Sequence, residues 1–348
     1  YTHGSLLGFI AAWANWVSLV TIIPIEAVSA VQYMSSWPWE WAKPMGALMK
    51  DGSISTIGLF AVYVIIAIFS LLNYWSVKLL TSFTSLISVF KLGVPLLTII
   101  MLMISGFDTN NYGHSASAFM PYGSAPIFAA TTTSGIIFSF NAFQTIINMG
   151  SEIKNPEKNI ARGIAISLTL SAILYIVLQS TFITSMPSSM IHEHGWNGIN
   201  FNSPFADMAI LLGINWLAIL LYVEAVVSPF GTGVSFVAVT GRVLRAMEKN
   251  GHIPKFLGKM NEQYNIPRVA IVFNAIISMI MVTLFRDWGT LAAVISTATL
   301  VAYLTGPTTV ISLRKMAPKM TRPFKANILK FMAPLSFVLA SLAIYWAM

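Results

Sequence analysis

Three ionisable side chains, Glu26, Lys91 and Glu224, lie inside long apolar stretches of a 348-residue chain. A charge at the centre of a membrane helix costs at least roughly 2.5–3.5 kcal/mol on insertion scales, so each must face protein or a watery cavity. Lys91, in Phe-Lys-Leu, has about nine residues of apolar helix before it and more than ten after it. That depth argues against snorkelling to an interface. An amine enclosed there could load and release a proton within a working cycle. Glu224 opens the run Glu-Ala-Val-Val-Ser-Pro-Phe-Gly-Thr-Gly, which puts Glu224, Ser228 and Thr232 on one helix face at i, i+4 and i+8. Pro229 removes a backbone hydrogen bond, and Gly231 and Gly233 loosen the same stretch. A local break beside a solvent-lined path is therefore expected, with a carboxylate bridging two helices as the equal alternative. Glu26, two residues after Pro24, reads first as structural.

A second constellation interrupts the apolar run around residues 127–149. Ser139, Asn141, Gln144 and Asn148 stand among Phe138, Phe140 and Phe143. Hydrogen-bonding side chains mixed with aromatics suit a broken helix that holds a small polar solute at mid-membrane. Interhelical hydrogen bonding by Ser, Asn and Gln accounts for the pattern equally well. His192-Glu193-His194 has the look of a metal tripod fragment, but no further His or Cys stands nearby, and no metal site is expected. The chain has no cysteine, which excludes disulfides, thiolate metal sites and cysteine nucleophiles. It has no phosphate-binding glycine loop, no Gly-x-Ser-x-Gly and no HExxH. No nucleophile is paired with a base, so no catalytic residue, cofactor or enzymatic activity is expected.

The elements that must position these residues follow from composition. Of the residues, 56% are hydrophobic and 9% charged, against roughly 25% charged in a soluble domain. A soluble surface of this size could not be wetted with so few charges. Nine runs are long enough to cross hydrocarbon: about Leu6–Met34, Ile57–Asn73, Ser82–Ser105, Ile127–Met149, Gly163–Ile183, Trp216–Thr240, Ile266–Leu284, Leu291–Ser312 and Leu329–Trp346. All are read as helices, because an open sheet edge does not survive in lipid. Sixteen of the twenty Lys and Arg fall in the loops after the second, fourth, sixth and eighth runs or in the first residues of the run that follows. Those loops are thus cytoplasmic, and membrane lipid is the surrounding medium. The net charge of +8 carries no basic stripe with interleaved aromatics, so nucleic acid is not a partner. Stretches 35–56, 106–126 and 186–204 are polar outer connections. Trp37, Trp39 and Trp41 in the first fit an interfacial aromatic belt, with a partner-binding surface as the alternative.

Phe138–Arg162 carries more than pattern. Phe-Ser-Phe-Asn-Ala-Phe-Gln, followed by Gly-Ser-Glu-Ile-Lys-Asn-Pro-Glu-Lys-Asn-Ile-Ala-Arg-Gly-Ile, resembles the sixth helix and following loop of the amino acid–polyamine–organocation permeases. Ser228-Pro229-Phe230-Gly231-Thr232, Arg242–Pro254, Arg322-Pro323-Phe324 and, upstream, Gly4–Trp16 with Ile23–Ala27 resemble the same family in order. The upstream region, Gly4–Trp16 with Ile23–Ala27, together with residues 35–43 looks most like bacterial members described as aspartate–proton symporters. The resemblance implies an all-α polytopic membrane protein with the leucine-transporter-like inverted five-helix repeat, here a fragment holding family helices 3 to 11. It implies one permease domain over 1–348, with 1–105 the rest of the first repeat, 127–312 the second and 329–348 an extra helix. It further implies that the family's first helix and half of the substrate site lie outside this chain, so that the fragment alone does not transport.

By the same resemblance, Phe138, Ser139, Phe140, Asn141, Ala142 and Gln144 match the segment that lines the amino acid pocket. Lys91 matches a fifth-helix lysine associated with proton coupling, and Ser228 and Thr232 match the stretch that flanks it. Ala142 stands where glycine is usual, Ala161 where proline is usual, and Gln144 where an acid is common. The last departure favours an anionic or neutral substrate over a cationic one. The implied function is amino acid:proton symport across a bacterial inner membrane by alternating access. An uncoupled exchanger or facilitator, or a membrane sensor that binds solute without moving it, stands as the alternative.

Overall fold

A computed structural model describes residues 2–75, 77–141, 143–148, 153–201, 203–261, 266–322 and 328–347. The helices in chain order are α1 (Gly4–Ser35), α2 (Thr56–Trp75), α3 (Val77–Ser105), α4 (Ala116–Phe119), α5 (Ala125–Thr133), α6 (Ile136–Ser139) and α7 (Thr145–Asn148). They continue with α8 (Pro156–Ser185), α9 (Ser188–Gly198), α10 (Pro204–Leu211), α11 (Asn215–Lys249), α12 (Arg268–Leu284), α13 (Trp288–Met316) and α14 (Leu329–Ala347). Seven are long and apolar enough to cross a membrane, and α12 is a shorter apolar helix whose 17 residues span about 26 Å. The expected run 127–149 is not one helix. It is divided into α5, α6 and α7.

Hydrocarbon as solvent turns the usual pattern outward. Large apolar side chains such as Phe60, Ile104, Ile176 and Leu339 stand exposed, whereas Ser18, Thr21, Thr240 and Asn274 are fully buried. Each buried polar group needs a partner inside the protein. The Trp16 indole donates to Asn274 Oδ1 at 3.1 Å, and Asn274 Nδ2 donates to the Thr240 hydroxyl at 2.9 Å. That chain joins α1, α12 and α11 at one level. Helix α1 is the centre of the packing, with a core that runs from Trp16 to Val31 against α2, α11, α12 and α13.

The connections separate to two ends. At one, a short antiparallel hairpin, β1 (Met49–Lys50) and β2 (Ser53–Ile54), donates the Ile54 amide to the Arg286 carbonyl before α13. There too the Ser36 and Ser203 hydroxyls meet at 2.8 Å, and the Asp108 amide donates to the Thr184 carbonyl at 2.7 Å. At the other end Arg268 donates to the Tyr74 carbonyl and lies over its ring, and His252 packs on Phe9. The loops expected outside thus meet one another, as do those expected inside. The outer stretches hold α4, α9 and a 3-10 segment at Glu40–Leu48, and α10 follows the last of them.

One expectation is corrected. Residues 224–233 form no break: α11 is continuous from Asn215 to Lys249, with Pro229 inside it. The two glycines serve packing. A Cβ at Gly231 would stand 2.6 Å from Ile87, and one at Gly233 would stand 2.2 Å from the Phe69 ring. They let α2 and α3 approach α11 closely, as small residues do in membrane interfaces.

Gly233→Ala is expected to lower stability by about 1–3 kcal/mol through overpacking, read as a lower melting temperature in detergent. Because the chain lacks cysteine, single cysteines report sidedness cleanly. Ser117→Cys should react with an impermeant maleimide from outside, and Asn250→Cys only after the membrane is opened.

Candidate functional site

The broken segment is built by a glycine and held by neighbours. Gly135 takes the left-handed conformation at φ 77°, which costs an L side chain roughly 1–2 kcal/mol. A Cβ there would also stand 2.8 Å from the Trp288 ring, which Phe138 meets edge-on at 6.0 Å between centroids. Side chains add bonds to the backbone at the break. Gly135 O accepts from the Ser139 amide at 2.8 Å and from the Ser139 hydroxyl at 2.9 Å, and Ser139 O accepts from Tyr175 of α8 at 3.2 Å. The Tyr175 ring packs edge-on against Phe140 at 5.4 Å.

A relay of side chains then ties the segment to two helices. Tyr303 of α13 donates to Gln144 Oε1 at 2.8 Å, and Gln144 Nε2 donates to Asn141 Oδ1 at 2.7 Å. Asn141 Nδ2 donates to the Ser18 hydroxyl of α1 at 3.1 Å, which meets the Thr299 hydroxyl of α13 at 2.5 Å. Gln144 is buried with both amide atoms engaged. It ties the segment to α13. Ser139, Phe140 and Asn141 line a cavity of about 360 Å³ against α8. Phe138 faces a different one, and Ala142 lies outside the described residues.

Phe138 shares its cavity, of about 310 Å³, with the charged residues. Glu26, Glu224, Ser228, Tyr33 and Trp288 are in the same wall. Continuous helix keeps Glu224, Ser228 and Thr232 in one stripe. Glu224 is in hydrogen-bond contact with Ser228, and the Thr232 hydroxyl donates to Ser228 O at 3.3 Å. Lys91 of α3 donates to the Thr232 hydroxyl. It lies within electrostatic range of both Glu26 and Glu224. Among the described residues the ion pairs within 4 Å are Glu40–Lys43 and Glu193–His194, so the three membrane charges interact without direct pairing. Sequence spacing related Glu224, Ser228 and Thr232, and the fold brings in Lys91 from α3 and Glu26 from α1.

The outer end of this cavity is roofed. Tyr222 donates to Asp207 Oδ1 at 3.3 Å, Asp207 Oδ2 accepts from the Ser203 amide at 3.0 Å, and Trp39 packs edge-on on Tyr222 at 5.8 Å. Trp37 and Trp39 are half-buried in this packing, and Trp41 is the exposed member of the trio. The cluster is therefore mostly a protein contact and only in part a belt. His192, Glu193 and His194 sit on α9, and among the described residues no group of three metal-binding side chains forms.

This arrangement of broken helix, membrane-embedded lysine and cavity coincides with a family match. A family model described as "Amino acid permease" matches residues 1–348. The chain belongs to the amino acid permease family. It is similar to "Glutamate/serine transporter AimA" of Bacillus subtilis, 49% identical over 347 residues that cover 100% of this chain and 64% of that relative. It is similar also to "Aspartate-proton symporter" of Bacillus subtilis, 33% identical over 351 residues, or 100% of this chain and 65% of the relative. "Branched-chain amino acid permease BcaP" of the same organism is 26% identical over 334 residues, 93% of this chain and 68% of the relative. The permease chain thus spans just under two thirds of the length of the first two. It is an all-α, multi-pass protein of a bacterial cell membrane, in a family of permeases rather than of enzymes.

Several residues of the candidate site carry no motif. Ser18 of α1 lies more than 280 residues from Thr299 and Tyr303 of α13, with which it shares the relay. Tyr175 had a readable signal, since Ser167, Ser171 and Tyr175 repeat at i, i+4 and i+8 on the α8 face that lines the second cavity. Gly135→Ala is expected to cost about 1–2 kcal/mol from the left-handed backbone alone, visible as a lower melting temperature. A melt unchanged from the parent would show that the segment tolerates another backbone path.

Proposed function

We propose that the protein is a proton-coupled amino acid permease that works by alternating access, with an acidic or neutral amino acid as substrate. The observation that carries this reading is the membrane-embedded ammonium of Lys91, bonded to Thr232 and within electrostatic range of the cavity carboxylates Glu26 and Glu224. An ionisable group held at that depth by specific partners is what proton coupling needs. Phe138, Ser139, Phe140 and Asn141 border the two cavities of the broken segment and are the side chains placed to meet the solute. Gln144 holds that segment to α13 through Tyr303. Ser228 and Thr232 link Lys91 to the cavity wall. The printed names of the two relatives, a glutamate/serine transporter and an aspartate-proton symporter, support both the substrate class and the coupling. Amino acid and protons are the expected partners, within membrane lipid.

The test is uptake of labelled glutamate, aspartate and serine into proteoliposomes that hold the full-length protein, with and without an inward proton gradient. Gradient-driven accumulation is expected, and Lys91→Ala should reduce it at least tenfold while the protein still elutes as a folded species. Uptake indifferent to the gradient and to Lys91 would make the protein an exchanger or facilitator. A folded protein that takes up none of the three would be a sensor.

A further inference from the structure

The cavity of about 310 Å³ at Phe138 has two carboxylates in its wall, Glu26 from α1 and Glu224 from α11. Among the described residues no Lys, Arg or His lines it. The other titratable groups there are Tyr33 of α1 and Tyr222 of α11, and Tyr222 is bonded to Asp207 of α10. From α6 and α13 the wall receives only the aromatic rings of Phe138 and Trp288. The nearby cation is Lys91 of α3, outside the wall and bonded to Thr232.

These charges do not balance for an anion. With all three groups ionised, Glu26, Glu224 and Lys91 sum to one negative charge. A zwitterionic neutral amino acid can enter such a site, where its ammonium meets carboxylate and aromatic faces. An amino acid with an anionic side chain brings a second negative charge into a wall that offers no counter-cation, and low dielectric magnifies the repulsion. Loss of a proton from Lys91 would deepen the deficit. Among the described groups, uptake of a proton by the carboxylates removes it.

Resting on the permease reading above, we propose that Glu26 and Glu224 form a carboxylate pair that must take up a proton before an amino acid with an anionic side chain occupies the cavity. Neighbouring carboxylates that face one space cannot both remain ionised cheaply beside a third negative charge, so the proton is shared within the pair. Transport of an acidic substrate is then bound to proton entry, whereas a neutral substrate needs no such step at this pair. Glu26 and Glu224 act on the substrate's charge, and Lys91 sets the charge of the pair.

The test begins with the unmodified full-length protein in weakly buffered detergent solution with a pH-indicating dye. Glutamate added at saturation should withdraw about one proton per molecule bound, and serine less than half as much. Equal proton release or uptake with the two amino acids would overturn the proposal without any variant having to fold. In proteoliposomes the ratio of glutamate uptake with an inward proton gradient to uptake without it should fall toward one in Glu26→Gln and Glu224→Gln. A ratio that stays at the parent value in both would overturn the assignment to the pair and leave the permease reading standing. Absence of uptake of any amino acid by the parent protein would remove that reading and the proposal with it.

Discussion

A polar group inside hydrocarbon seeks its partner in the protein, and α1 supplies several of these partners. Trp16 reaches Asn274, Ser18 reaches both Asn141 and Thr299, and Glu26 enters the cavity wall beside Glu224. The three lie at spacings of two and eight residues along one helix, so they face different neighbours at successive depths. Apolar packing alone gives little orientation in lipid, since lipid tails are as apolar as leucine. Directional bonds from α1 therefore orient α12 and α13 about it, and α11 through the bond from Asn274 to Thr240. The charged cluster exists because that rotation brings α1 and α11 to share a wall.

The same constraint explains why a helix can be broken here. The run is divided on either side of α6, which is tolerated at membrane depth only where other groups satisfy the backbone. Tyr175 supplies a donor to the Ser139 carbonyl, and the relay through Tyr303, Gln144, Asn141 and Ser18 fixes the segment to its surroundings. The aromatic side chains do the complementary work. Phe138 against Trp288, Phe140 against Tyr175 and Phe143 against Tyr303 place one ring contact on each side of the segment. The segment is thus irregular and still specified.

The spans were legible in the sequence because hydropathy is additive along a helix, and the expected runs agree with α1, α2, α3, α8, α11, α12, α13 and α14 to within several residues. The interrupted run was legible from Ser139, Asn141 and Gln144, and the stripe of Glu224, Ser228 and Thr232 from helical spacing. Two kinds of information were not. Pro229 with two glycines signals either a break or a tight contact, and only the positions of Phe69 and Ile87 decide for contact. Membership of the site for Glu26, Thr299 and Tyr303 depends on which helix faces meet, and that follows from three-dimensional packing among segments hundreds of residues apart. Local spacing carries no trace of it.

The close approach at Gly233 has a consequence for how such a chain can change over generations. The Phe69 ring fills the space that any side chain at position 233 would need, and Phe69 is itself fully buried. The ring cannot swing outward without leaving a void in the core, and position 233 cannot grow without displacing the ring. Neither residue has an independent neutral path. The two positions can drift only as a matched couple, a smaller ring or aliphatic group at 69 opening room for a methyl at 233. Positions far apart in the sequence are in this way inherited as one unit of shape.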